Sequence, residues 1–239
     1  MSDDITENPA AVTSPRVRAL VGRSRHLGEL PTEVKDRLAA AASLRHFCAG
    51  EVIYVEGEPA RNIYLLESGW VKCTRMTREG REAALIFLAP NEVFGDIGVF
   101  TGTAYVSTAV ALEEADAWAI PAGTVLGLVS QSPALASAVI RMLGDRVLYY
   151  IGLVEDLALR SVEARLANNL LRHAEAADGR LLVPRRNWTT LNEMAVRMGT
   201  VRDVLSRALK TLESQGLLRV EKEAIILVDP QGLRERGSL

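Results

Sequence analysis

The stretch "SPALASAVIRMLGDRVLYYIGLVEDLAL", residues 132 to 159, constrains the fold more than any other segment of the chain. Ser132 is placed to cap a helix and Pro133 suits its first helical position. Only Gly144 and Gly152 weaken the run that follows. Leu143, Val147, Tyr150, Val154 and Leu157 recur at alternating spacings of four and three, the period of a coiled-coil seam. A helix of about 28 residues, at 1.5 Å per residue, outruns what a small domain can cover. Two readings follow: a helix packed on its own domain, or the seam of a dimer. The length and the single apolar face favour the dimer.

The segments on either side have different textures. From Gly50 to Pro121 short apolar runs alternate with turn residues. "EVIYVEG", "NIYLLESG", "WVKCTRMT", "AALIFLAP" and "ADAWAIP" read as strands, punctuated by Gly57, Gly69, Gly80 and the Pro90-Asn91 pair. Many short strands at such spacing mean a sandwich, barrel or jelly roll. Ahead of them "TEVKDRLAAAASL" predicts a helix with Thr32 as its cap and Leu38, Ala41 and Leu44 on one face. Residues 1 to 25, polar and proline-containing, are expected to be a loose tail. The expected organisation is therefore a tail over 1–25, a β-roll over 26–131, a dimerisation helix and hinge over 132–160, and a second module over 161–239.

That second module holds the sharpest local pattern. Ser161 caps a helix over "SVEARLANNLLRHAEAA", and "DGRLLVPRRNW" gives a turn and a strand. Thr190 and Glu193 form a capping box for a helix that ends at Gly199. Thr200 and Asp203 make a second capping pair almost at once, so two helices are joined by a very short turn. This is the helix-turn-helix pattern. In the second helix Val201, Val204, Leu205, Ala208, Leu209 and Leu212 are expected to face inward, leaving Arg202, Asp203, Ser206, Arg207 and Lys210 outside. Arginine donates two bonds to guanine O6 and N7, and a carboxylate accepts from cytosine N4. An Arg-Asp-x-x-Ser-Arg face can thus read bases in a major groove. The competing reading is a solvated face with an Asp203–Arg207 pair at i,i+4. "LLRVEKEAIILVD" then predicts a hairpin, which defines the winged variant.

Charge supports two modules with different partners. From residue 160 onward there are 14 Lys and Arg against 10 Asp and Glu, whereas the preceding residues carry 14 against 20. The two cysteines, Cys48 and Cys73, make neither a disulfide framework nor a metal cluster, and both are expected to be buried thiols. No apolar run approaches the roughly 20 residues of a membrane span, and the acidic start is unlike a signal peptide. A cytoplasmic protein that is not an enzyme is expected, because no paired nucleophile and base, phosphate loop or metal spacing appears.

Taken together, "GEVIYVEGEPARNIYLLESGWVKC", "FGDIGVFTGTAYVSTAV" and "GTVRDVLSRALKTLESQGLL" resemble the CRP/FNR family of bacterial transcription regulators across residues 26 to 230. The resemblance implies an α+β architecture with a cyclic-nucleotide-binding-like β-roll (jelly roll), a long dimerisation helix and a C-terminal winged helix-turn-helix. It implies a homodimer on double-stranded DNA at a palindromic operator, contact with RNA polymerase, and a small-molecule effector. Base reading falls on Arg202, Asp203, Ser206 and Arg207. Backbone contacts fall on Thr190, Arg197, Thr200 and Lys210. Dimer contacts fall on Leu143, Val147, Tyr150, Val154 and Leu157.

The effector pocket implied by the resemblance is Gly95, Asp96, Ile97, Val106, Ser107 and Tyr150. The cyclic-AMP branch neutralises the phosphate with an arginine where this chain has Val106, and it contacts the adenine with a Thr-Ser pair where this chain has Tyr150 and Ile151. Losing a charge-assisted bond of roughly 1.5–3 kcal/mol argues against cyclic AMP. A cyclic-nucleotide regulator and a haem-based gas sensor are the alternatives; axial ligands for the latter would come from His26, His46, His173, Cys48 or Cys73. An iron–sulfur cluster of the fumarate–nitrate kind needs four thiolates, which two cysteines cannot supply. The cofactor, if any, is left open by the residues.

Overall fold

The computed structural model describes residues 15–80, 82–177 and 179–238. By internal contacts the chain divides into two compact units, residues 1–75 with 86–145 and residues 76–85 with 146–239. In chain order the elements begin with α1 (Pro15–Arg23), α2 (Thr32–Ala41), β1 (Ser43–Phe47), β2 (Val52–Tyr54), β3 (Asn62–Ser68) and β4 (Val71–Met76). They continue through β5 (Glu82–Leu88), β6 (Val93–Phe94), α3 (Asp96–Thr101), β7 (Thr108–Ala111), β8 (Ala115–Pro121), α4 (Ala122–Gln131) and α5 (Pro133–Leu159). The chain ends with α6 (Val162–Arg172), β9 (Glu175–Ala177), β10 (Arg180–Pro184), α7 (Leu191–Arg197), α8 (Arg202–Ser214), β11 (Leu218–Val220), β12 (Ala224–Leu227) and α9 (Pro230–Gly237).

Two four-stranded sheets, ordered β1-β8-β3-β6 and β2-β7-β4-β5, build the roll. Alternation along the strands sends one set of side chains to each face. Ile63 and Leu65 of β3, with Trp118 and Ile120 of β8, join a helical layer from α1, α2, α4 and the start of α5. Tyr64 and Leu66, with Ala117 and Ala119, fill the roll interior instead, together with Phe47, Tyr54, Cys73, Leu88, Phe94 and Tyr105.

Several expectations are corrected here. Residues 15–23 are not tail but helix α1, because Val17, Leu20 and Val21 are fully buried in the first core; residues 1–14 of the expected tail lie outside the described residues. Helix α2 takes Thr32 as its first helical residue behind Pro31, without a side-chain cap, and it stops at Ala41. Leu44 belongs to β1, an edge strand whose register pairs it with Trp118. Cys48 is exposed, while Cys73 is buried.

Helix α5 runs 27 residues, as long as its sequence demands. The Ser132 hydroxyl accepts the Leu135 N–H at 3.3 Å. Leu135, Ala138, Val139 and Met142 bury its first half, with Leu143 packed beside them.

In the second unit the Ser161 hydroxyl caps α6 by accepting the Ala164 N–H at 3.2 Å. That helix ends at Arg172 and not at Ala177, since residues 175–177 pair as β9 with β10. The sheet order is β11-β12-β10-β9, so the expected hairpin forms as β11–β12 in the register Leu218↔Leu227. Helix α9 closes the module by burying Leu233 in the same core as Leu166, Leu170, Leu205, Leu209 and Leu212.

Candidate nucleic-acid interface and effector site

Helix α7 is capped as its sequence requires: the Thr190 hydroxyl accepts the Glu193 N–H at 3.2 Å. It ends where Gly199 takes φ +60. A Cβ at Gly199 would lie 2.6 Å from Leu157 Cδ2. Glycine is therefore favoured by the backbone conformation, whereas the Leu157 side-chain tip could shift to admit a Cβ. The Thr200 N–H donates to the Ala195 carbonyl at 2.9 Å. Thr200 does not cap α8, because Val201 occupies the cap position and no side chain bonds there. Val201 is 64% exposed, so it leaves the inward set expected for it. Leu205, Ala208, Leu209 and Leu212 are buried as expected, and Val204 is half-buried.

The opposite face of α8 is what these contacts hold out. Arg202, Asp203, Arg207 and Lys210 are exposed, and Ser206 is half-buried beside them. The Arg207 Nε donates to the Asp203 backbone carbonyl at 3.4 Å, a bond within the helix that leaves the Asp203 carboxylate out of it. Guanidinium, carboxylate, hydroxyl and ammonium thus lie along one side of a rigid helix. Such a row can offer base edges two arginine forks and an acceptor, and its first turn carries the positive end of the helix dipole, which favours anions such as phosphate.

Arg197 has a partner that the sequence did not indicate. Sequence position puts it on the helix that crosses the phosphates, but the structure turns its guanidinium inward. Nη2 lies 2.6 Å from His173 Nε2, and His173 Nδ1 lies 2.8 Å from the Asn169 carbonyl. The carbonyl can only accept, so Nδ1 carries the proton and Nε2 accepts from Arg197. Burial, followed by the charges of Arg197 and Arg172, holds the His173 pKa below its usual value. Burial also lowers the Arg197 pKa. The pair braces α7 against the end of α6.

On α5 the predicted seam divides. Leu143 packs on the first core, and Tyr150 is half-buried with Tyr149 edge-on at 5.4 Å. Val147, Val154 and Leu157 are exposed at 57%, 65% and 46%, and Leu148 and Ile151 are exposed with them.

The roll residues singled out for effector binding fall on one short segment. Gly95 adopts φ +75 ahead of α3. Asp96 and Ser107 are buried, Ile97 is half-buried, and Val106 is exposed. The Thr103 N–H donates to the Gly98 carbonyl at 2.9 Å and closes the turn at the end of α3. Tyr150 belongs to the second unit. Of the haem-ligand candidates, His26 faces Asp145 at 3.6 Å, His46 faces Asp116 at 2.9 Å and His173 faces Arg197.

Sequence reasoning missed an aromatic cluster inside the roll. Tyr54 stacks on Tyr105 with ring centroids 3.8 Å apart and planes 14° from parallel. Tyr64 stacks on Phe94 at 5.0 Å and on Tyr54 at 5.8 Å. Three of the five tyrosines meet there. The signal available was an aromatic residue amid aliphatics in "VIYVEG", "NIYLLE" and "TAYVST", but strand propensity alone accounts for each.

Comparison with known proteins covers both units. Residues 44–132 match the sequence model of the cyclic nucleotide-binding domain, and residues 164–236 match that of the Crp-like helix-turn-helix domain. The chain is 26% identical over 194 residues to the CRP-like cAMP-activated global transcriptional regulator of Mycobacterium tuberculosis, covering 80% of this chain and 86% of that protein. It is 26% identical over 219 residues to the global nitrogen regulator of Synechococcus elongatus, covering 88% and 92%. Its fold is similar to that of FixK2 from Bradyrhizobium japonicum, with a TM-score of 0.74 and 20% identity over 83% of this chain and 98% of that one.

Proposed function

The chain belongs to the CRP/FNR family of transcription regulators, and on that premise we propose that it binds a palindromic operator as a homodimer, with sequence read by α8. The carrying observation is the row of exposed Arg202, Asp203, Arg207 and Lys210, with half-buried Ser206 among them, on a helix whose other side is buried. Arg202 and Arg207 read guanines, Asp203 accepts from cytosine and Ser206 adds an adaptable bond. Lys210, further along the helix, serves the backbone with Thr190 and Thr200. Arg197 is a brace and is left out of the phosphate contacts. Arginine readers call for guanines in each half-site, and the resemblance to the family makes a TGTGA-like half-site the expected target, with Asp203 in place of the family's glutamate altering its detail.

The dimer forms through the outer stripe of α5, where Val147, Val154 and Leu157 meet their two-fold mates. The roll senses a small molecule other than cyclic AMP. The mycobacterial relative is by name cAMP-activated, but here the position of the family's phosphate-binding arginine holds Val106. The dimer works in the cytoplasm, where operator and RNA polymerase are met together; no single helix among the described residues is long and apolar enough to cross a membrane. Selection from random DNA tests the reading: the purified chain should enrich an inverted repeat with guanines in each half. Enrichment of no sequence, or of an unrepeated one, would contradict it.

A further inference from the structure

The roll interior holds a tyrosine whose ring and hydroxyl are both fully partnered. Tyr105 follows α3 in the segment between Gly95 and Ser107, yet its side chain is 5% exposed and lies inside the roll. Its ring lies flat on Tyr54. Its hydroxyl donates to the Asn62 carbonyl at 2.8 Å and accepts the Asn62 N–H at 3.1 Å. A Cβ at Gly95, just ahead of α3, would lie 3.1 Å from the Asn62 carbonyl oxygen and 3.2 Å from Tyr105 Cε1, so glycine there lets the ring lie close. The Tyr105 backbone is pinned separately: its N–H donates to the Glu58 carbonyl and its carbonyl accepts the Gly57 N–H, both at 2.9 Å.

This seat has a definite chemistry. One wall is a π-face, which asks for a planar group. The far end is a backbone donor and acceptor from one residue, which asks for a hydroxyl that can serve both. Asp96 is buried close by, and its charge acts on Tyr54. An anion would meet that carboxylate, and Val106 gives it no cation. Burial pushes the Tyr105 hydroxyl up to about 12, so the resident group is itself uncharged.

We propose that the roll interior is a seat for a planar, uncharged aromatic alcohol, that Tyr105 fills it when no effector is present, and that an effector acts by taking the place of Tyr105. This rests on the reading of the roll as the sensory module. An occupied seat weakens an outside ligand in proportion to the occupancy, while a vacated aromatic cavity binds a molecule of the missing shape.

The test uses the full chain and p-cresol, the Tyr105 side chain as a free molecule. Calorimetry is run on the wild type, Tyr105→Ala and Tyr105→Phe, and operator affinity is measured in parallel. Tyr105→Ala should bind p-cresol at least about tenfold more tightly than the wild type, and saturating p-cresol should change its operator affinity several-fold. Tyr105→Phe keeps the ring and the fold but loses both bonds to Asn62, so its affinity should fall between the two. If Tyr105→Ala does not fold, Tyr105→Phe against the wild type decides. Equal p-cresol affinity across the folded proteins overturns the proposal. So does p-cresol binding that leaves operator affinity unchanged, or micromolar cyclic-AMP binding by the wild type. A wild type that binds operator but fails these tests loses only this inference; one that binds no operator loses the reading beneath it.

Discussion

Two exposed surfaces of this chain, the outer stripe of α5 and the outer face of α8, differ in what water does to them. The α5 stripe is aliphatic: Val147, Leu148, Ile151, Val154 and Leu157 stand in solvent. Covering one such side chain fully contributes roughly 1.5–3 kcal/mol, and a two-fold interface counts each residue twice. The α8 face is ionic and well solvated, so its exposure needs no cover. It gains by displacing counterions from a polyanion, and salt takes that gain away. One surface should therefore be insensitive to salt and the other steeply sensitive. Assembly and DNA binding become separable by ionic strength alone.

The largest effect should come from breaking the apolar side. Val147→Glu with Val154→Glu would set four carboxylates against one another across the two-fold. Monomers should result, and operator affinity should fall by at least about a hundredfold as the second half-site is lost. Sedimentation checks the mass, and the wild type should stay dimeric from low to high salt. A monomeric wild type at micromolar concentration would remove the seam from the account.

The next largest effects sharpen the ionic side. Arg202→Ala and Arg207→Ala should each lower affinity by about 1–3 kcal/mol per half-site and relax the preference at one base pair. Lys210→Ala should weaken all sequences alike and reduce the salt dependence by about one phosphate per subunit. Smallest of all is the effect of cyclic AMP, whose addition to the wild type should leave operator affinity unchanged; a gel shift at saturating cyclic AMP measures this directly.

The same contrast explains what the sequence could and could not disclose. Helix α5 is legible because period and length are written in its own residues, and Ser132, Ser161, Thr190 and Gly199 do locally what such residues do elsewhere. Where local rules compete with packing, reading fails. Residues 15–23 look like tail by composition, but three apolar side chains sealed in the core make them helix. Leu44 extends an alanine-rich helical pattern, yet pairing with β8 takes it into a strand. Thr200 is a good cap by type and is superseded by Val201, because the turn at Gly199 fixes where α8 can begin.

On α8, the exposure of Arg202, Asp203, Arg207 and Lys210 follows from a 3.6-residue period and was readable, while Val201 turned outward and Ser206 is half-buried. The inward turn of Arg197 was not, since its partner His173 lies 24 residues away and only the fold brings them together. The aromatic seat was hidden for the same reason: Tyr54, Tyr64 and Tyr105 come from separate strands and loops, and no spacing links them.

Base reading by α8 is tested most directly with Arg207→Ala and a panel of single-base variants of the selected operator, at two salt concentrations. Discrimination should collapse at one guanine position per half-site while preferences elsewhere persist, and the salt dependence should stay near that of the wild type. If Arg207→Ala weakens every variant equally and flattens the salt dependence, Arg207 holds a phosphate and does not read a base. If neither quantity moves, the α8 face is only a solvated surface.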